Sequence, residues 1–131
     1  MNPLIIEGKE KTPFFSLMPS GLMSFGGTSI PEDAASFYFS IIDWISDYYR
    51  IPKSETTVRV AFRYLNSSSA SMVDKIFFLL GRLQDTGKTN ITCEWLYEVE
   101  DQDMKDFIDH IKEIAPNIDF TVSAKSHLLE F

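Results

Sequence analysis

The sequence predicts a single α/β domain with a mixed β-sheet, an N-terminal antiparallel hairpin followed by α-β-α-β-α-β. Three observations predict it. The opening segment holds short apolar runs broken by turn residues. Beyond it, segments with apolar residues at helical spacing alternate with segments of period two. The chain has 131 residues, 44% of them hydrophobic, with eleven Phe, five Tyr and two Trp, which suits one core of ordinary size.

Leu4-Ile5-Ile6-Glu7 reads as a first strand and Gly8-Lys9-Glu10-Lys11 as a turn. Pro13 to Met18 is a second strand, Pro19-Ser20-Gly21 a turn, and Leu22 to Gly26 a third strand. Ser29 and Glu32 have the spacing of a capping box, and Pro31 suits a first turn. A helix follows to about Tyr49, with Ala34, Phe37, Tyr38, Ile41, Trp44, Ile45 and Tyr48 as its apolar stripe. Pro52 closes it.

Thr56 to Tyr64 is the clearest strand. Val58, Val60, Phe62 and Tyr64 alternate with Thr57, Arg59, Ala61 and Arg63. Asn66-Ser67-Ser68-Ser69-Ala70-Ser71 comes next, and then Met72, Val73, Ile76, Phe77, Leu80 and Leu83 recur at helical spacing. Gly87 fits the residue just past that helix. Asn90 to Tyr97 is a strand with Ile91, Cys93, Trp95 and Tyr97 on one face. Glu98 to Asp103 is an acidic connection in which Glu100 or Asp101 caps a helix striped by Met104, Phe107, Ile108, Ile111 and Ile114. Ile118 to Ser123 is the last strand, and the tail to Phe131 has no clear reading.

Net charge is -7 and the pI is near 4.7, which argues against nucleic acid or an anionic membrane as the main partner. No apolar run approaches the ~20 residues that span a bilayer, and the N-terminal residues lack the pattern of a signal peptide. The single cysteine, Cys93, excludes an internal disulfide and fits a reducing cytoplasm.

Catalytic and metal chemistry find little to build on. His110 and His127 are the only histidines; no Cys, His or carboxylate has a ligand spacing with His110, and His127 lies in the tail, where solvent exposure is expected. Cys93 sits on an apolar strand face, where an inert thiol is expected. Glu98, Glu100, Asp101, Asp103 and Asp106 cluster without the alternation or glycine of a calcium loop. Gly26-Gly27-Thr28-Ser29 has no phosphate-loop pattern. No catalytic residue, metal ligand or cofactor is expected.

The hydroxyl run remains. A helix needs one N-cap, and Asn66, Ser67, Ser68, Ser69 and Ser71 exceed that need. A phosphoryl group here would add about -1.5 to -2 charges where helix N–H groups and dipole favour an anion. Either the run is a cap with spare serines or it is a switch.

Four blocks resemble the SiaC-like regulatory phosphoproteins of bacteria. They are Thr12-Pro13; Gly27-Thr28-Ser29-Ile30-Pro31-Glu32-Asp33-Ala34 with Phe37-Tyr38 and Trp44; Phe62-Arg63-Tyr64-Leu65-Asn66-Ser67-Ser68-Ser69; and Trp95-Leu96-Tyr97 with Asp101-Gln102-Asp103-Met104. They keep the family order and cover nearly the whole chain. Ser67 stands where the family carries its phosphorylated threonine, Ile30 where a tyrosine and Asp33 where an asparagine is usual, and Ala70-Ser71 where a basic residue often follows.

The resemblance implies a non-enzymatic partner-switching adaptor, one domain over residues 1–131, phosphorylated at Ser67 with Asn66, Ser68 and Ser69 around the site. A GHKL-type Ser/Thr kinase and a PP2C-type phosphatase would set its state. The unphosphorylated form would bind and activate a diguanylate cyclase, raising cyclic di-GMP and promoting biofilm behaviour. Ser29, Glu32, Tyr64, Asp101 and Asp103 would contribute to the partner surface, and self-association stays open. Two other readings stay open beside it: a binding module like the anti-sigma-factor antagonists, and a small-ligand domain built from Ser29, Asn66, Ser67, Arg63 and the acidic loop.

Overall fold

The computed structural model describes residues 1–128. In chain order it contains β1 (Leu4–Ile6), β2 (Phe14–Leu17), β3 (Leu22–Ser29), α1 (Ala34–Arg50), β4 (Glu55–Leu65), α2 (Ser67–Asp85), β5 (Asn90–Glu98), α3 (Gln102–Ile114) and β6 (Asp119–Lys125). The six strands form one sheet in sequence order. β1, β2 and β3 are antiparallel neighbours, and β3 to β6 run parallel. The α/β expectation with its mixed sheet is borne out. Leu129, Glu130 and Phe131, the end of the tail that the sequence left unread, lie outside the described residues.

Sequential parallel strands joined by right-handed crossovers place every connecting helix on the same face. Accordingly α1 packs on α2 and α2 on α3. The core lies between these helices and one sheet face. Cross-strand rows supply it: Met23, Val58, Cys93 and Phe120 form one row, and Phe25, Val60, Trp95 and Val122 the next. Phe77 of α2 stacks on Trp95 at 5.3 Å and reaches Phe25 and Phe120. Each such side chain contributes about 1.5–3 kcal/mol on burial. The stripe expected on α1 faces inward, with Ala34, Tyr38, Ile41, Trp44, Ile45 and Tyr48 buried.

Two local expectations are corrected. Ser29 does not cap α1. It is the last residue of β3, paired with Leu65, so the strand continues three residues beyond Gly26. The cap is Asp33, whose carboxylate accepts from the Ser36 amide at 3.2 Å. Tyr64 does not continue the inward face of β4. The pairing passes from Gly27 with Phe62 to Thr28 with Tyr64, so Arg63 is the extra residue of a β-bulge. The bulge shifts the alternation by one position. Tyr64 turns outward, 56% exposed, and Leu65 packs against the core.

Candidate functional site

Parallel strands with returning helices bring the N-termini of α1, α2 and α3 to one edge of the sheet, at the ends of β3, β4 and β5. The hydroxyl run sits in the middle of that edge. Asn66, not a serine, is the N-cap of α2. Its extended backbone (φ -74, ψ 170) aims Oδ1 at the Ser69 amide, 2.9 Å away, and Ser68 Oγ also donates to it at 3.3 Å. The Asn66 carbonyl accepts from the Ala70 amide at 2.9 Å. The Asn66 amide donates to the Ser29 carbonyl at 3.0 Å, which holds the ends of β3 and β4 together.

The three serines then separate by helix phase. Ser69 is fully buried, while Ser67 and Ser68 are exposed. Ser69 lies one turn before Val73 and so shares the inward stripe. Ser29 Oγ donates to Ser69 Oγ at 2.8 Å and lies 2.8 Å from the Tyr38 hydroxyl. With the Ser29 proton spent on Ser69, Tyr38 is the donor to Ser29. Burial pushes the Tyr38 phenol up to about 12, against the opposing pull of its bonds to Ser29 and Ser69. It is therefore neutral at physiological pH and holds α1, β3 and α2 together beneath the exposed serines.

Above this cluster the first turn of α2 is open. The Ser69 and Ala70 amides are satisfied by Asn66, whereas those of Ser67 and Ser68 have no acceptor among the described residues. Two free N–H groups and the positive end of a 19-residue helix can receive an anionic group carried on Ser67.

Glu32 is exposed near the start of α1, Tyr64 is exposed before Asn66, and Asp103 is exposed in the first turn of α3. Asp101 is occupied as the cap of α3, accepting from the Met104 amide at 3.0 Å. Ser29, expected on a partner surface, is fully buried, because β3 carries it under α2. The small-ligand grouping does not assemble: Ser29 is buried, Asn66 is used as a cap, and Arg63 lines a different recess.

No base–nucleophile pair forms with the remaining candidates. His110 Nε2 lies 3.1 Å from the Asp74 carboxylate on the outer helix surface. Burial, helped by the Glu94 charge, pushes the Cys93 thiol well above its ordinary value. Among the described residues no group of three or more His, Cys, Asp or Glu could hold a metal ion. No helix among them is long and apolar enough to cross a membrane.

Two features escaped the sequence reading. One is the bulge at Arg63. The other is Tyr38 as a polar partner, for which a signal existed: a tyrosine on an apolar stripe needs somewhere to place its hydroxyl.

The sequence model of the SiaC family regulatory phosphoproteins matches residues 6–125. A protein of Pseudomonas aeruginosa (strain UCBPP-PA14) is 24% identical over 114 residues, covering 86% of this chain and 90% of its own. Among solved structures, SiaC of Pseudomonas aeruginosa superposes with a TM-score of 0.85 at 23% identity, over 95% of this chain and all of that one. The crystal structure of diguanylate cyclase SiaD in complex with its activator SiaC, from the same organism, contains a chain that matches at 0.81 and 22% identity, over 93% of this chain and 99% of that one.

Proposed function

This chain belongs to the SiaC family of regulatory phosphoproteins, and we propose that it is a non-enzymatic signalling adaptor switched by reversible phosphorylation of Ser67. In this reading a GHKL-type kinase adds the phosphoryl group and a PP2C-type phosphatase removes it. The unphosphorylated form binds and activates a diguanylate cyclase, raising cyclic di-GMP and favouring biofilm growth. Such partners work in the cytoplasm. The solved complex of SiaC with the cyclase SiaD supports the choice of effector.

The observation that carries the reading is the first turn of α2. Ser67 offers an exposed hydroxyl beside two amides without an acceptor among the described residues. Phosphorylation there is compatible with the fold, because the helix end favours the added charge. It also places that charge where a partner seated on the helix N-termini would have to bury it. Ser68 is the exposed alternative, and Ser69 reaches an active site only if α2 unwinds.

Incubation with the cognate kinase and ATP should add one phosphoryl group to the full chain, mapped to Ser67 by peptide mass spectrometry. The phosphorylated protein should lose cyclase stimulation and regain it after phosphatase treatment. A phosphate mapped to Ser68 would move the site. Equal stimulation by both forms would remove the switch.

A further inference from the structure

Among the described residues the second face of the sheet carries no helix. Across its middle runs the row Ser24, Arg59, Glu94 and Thr121, with the Arg59 Nε–Glu94 Oε1 pair at 2.8 Å. The next row toward the C-terminal edge drops to small residues at Gly26 and Ala61. Two segments rise on either side of this dip. One is the β1–β2 loop, held by the Ile30 amide on the Lys11 carbonyl at 2.9 Å and the Lys9 amide on the Thr12 carbonyl at 2.8 Å. The other is the chain after β6, held by the Leu128 amide on Glu98 Oε2 at 3.3 Å.

Between them lies a groove of about 920 Å³, within the ~300–1,000 Å³ range of small-molecule sites. Phe14, Ala61, Leu96 and Leu128 give it an apolar lining. Lys9, Arg63 and Lys125 also line it, with His127, against a single carboxylate among the described residues, Glu10. Three of the chain's twelve lysines and arginines therefore converge on one recess of a protein whose net charge is -7. None of the three forms a salt bridge among the described residues. Cations gathered against the overall charge, without a salt bridge among the described residues and over an apolar floor, are arranged for an anion with an apolar body.

We propose that this groove binds a small organic anion, an apolar or aromatic body on Phe14, Ala61, Leu96 and Leu128 with its charged group held by Arg63 and Lys125. Walls on two sides and a floor of sheet favour a small molecule over a protein surface. Arg63 follows Arg59 and Ala61 on the outward face of β4 and is the extra residue of the bulge at the groove's edge. The site is independent of Ser67 modification and is tested without it.

The probe is anilinonaphthalene sulfonate, an aromatic anion whose fluorescence rises in apolar surroundings, titrated into the folded full chain. Saturable binding to one site is expected, with a Kd in the micromolar range. Arg63→Ala combined with Lys125→Ala should weaken it by about tenfold or more, roughly 1.4 kcal/mol, with an unchanged melting temperature. Ala61→Leu, which fills the floor, should weaken it similarly; if that variant unfolds, the charge variant decides. Phenylnaphthylamine, the same body without the sulfonate, should also bind about tenfold more weakly. Equal affinity for the uncharged compound, indifference to the charge variant, or no saturation would overturn the proposal. Displacement of the dye by a glutamate-rich peptide at lower concentration than by naphthoate would overturn it in favour of peptide docking.

Discussion

Two buried hydroxyl clusters sit at opposite edges of the parallel sheet, and each takes one tyrosine from α1. At the edge where the helices begin, Ser29 bonds to Tyr38 and Ser69. At the edge where they end, Thr56 lies 2.7 Å from both the Tyr48 hydroxyl and Thr89 Oγ1. The chemistry is the same and the surroundings are not. The Tyr48 cluster is closed in by backbone: the Lys53 amide donates to Tyr48 at 3.2 Å, and a Cβ on Gly21 would lie 2.9 Å from that hydroxyl. The Tyr38 cluster lies under the first turn of α2, where two amides still face outward. Helix polarity makes the difference. Free N–H groups collect only where helices start, so only that edge can receive an anionic modification.

The edges part most sharply in phosphoryl acceptance. Ser67→Ala should abolish incorporation by the cognate kinase, read as loss of the added mass in the intact protein. Thr56→Val and Thr89→Val, at the other edge, should leave incorporation intact. Loss of labelling in Ser69→Ala at unchanged stability would instead show that the kinase opens α2.

Alkaline pH gives the next largest effect. The Tyr38 phenol is raised from 10.0 to about 12 in the folded protein. Between these values the folded state holds a proton that the unfolded state has lost, so stability falls as pH rises. The contribution is whole below pH ~10 and is lost by pH ~12, about 2–3 kcal/mol in all. Urea unfolding from neutral pH upward should show this slope, and Tyr38→Phe should reduce it, leaving the part that the raised Cys93 thiol supplies with the same sign. A slope unchanged in that variant would locate the alkaline sensitivity elsewhere.

At neutral pH Tyr38→Phe should cost about 1–2 kcal/mol, because Ser29 and Ser69 keep buried oxygens with one donor removed. Tyr48→Phe should cost a similar amount. What separates them is the kinase reaction: loosening α2 at its first turn should alter the rate of Ser67 phosphorylation, and Tyr48→Phe should not. Equal rates in both variants would make the Tyr38 cluster as purely structural as its counterpart.

Period two and period 3.6 marked the strands and helices, and the inward stripes of α1 and α2 were legible residue by residue. Tyr64 was misread because alternation alone does not reveal a bulge; the pairing that skips Arg63, from Phe62 with Gly27 to Tyr64 with Thr28, exists only once β3 is in place. Ser29 was misread because a serine three residues before Glu32 imitates a capping box, while pairing with Leu65 draws it into β3. The surplus of hydroxyls after β4 was legible. Their division was also latent in the sequence, since Ser69 is in phase with Val73, Ile76 and Leu80 and Ser67 is not. The groove was not legible, because its lining comes from β2, β3, β4, β5, β6 and two flanking segments that only the folded sheet brings together.

The smallest effect concerns the cap itself. Asn66→Ala removes the acceptor for the Ser69 amide and the partner of Ser68 Oγ. The cost should be about 1 kcal/mol in urea unfolding, as for other lost N-caps. Asp101→Ala at the start of α3 provides the control, since it removes the equivalent bond to Met104 for a similar cost. The two should differ in the kinase reaction. In Asn66→Ala a third amide, that of Ser69, joins those of Ser67 and Ser68 in lacking an acceptor, so a phosphoryl group on Ser67 can recover part of the lost stability. Phosphorylation should therefore stabilise Asn66→Ala more than it stabilises the unsubstituted chain, by a few tenths of a kcal/mol to about 1 kcal/mol. An equal shift in both proteins would mean that the phosphoryl group does not contact the α2 amides, and the charge would then act on the partner alone.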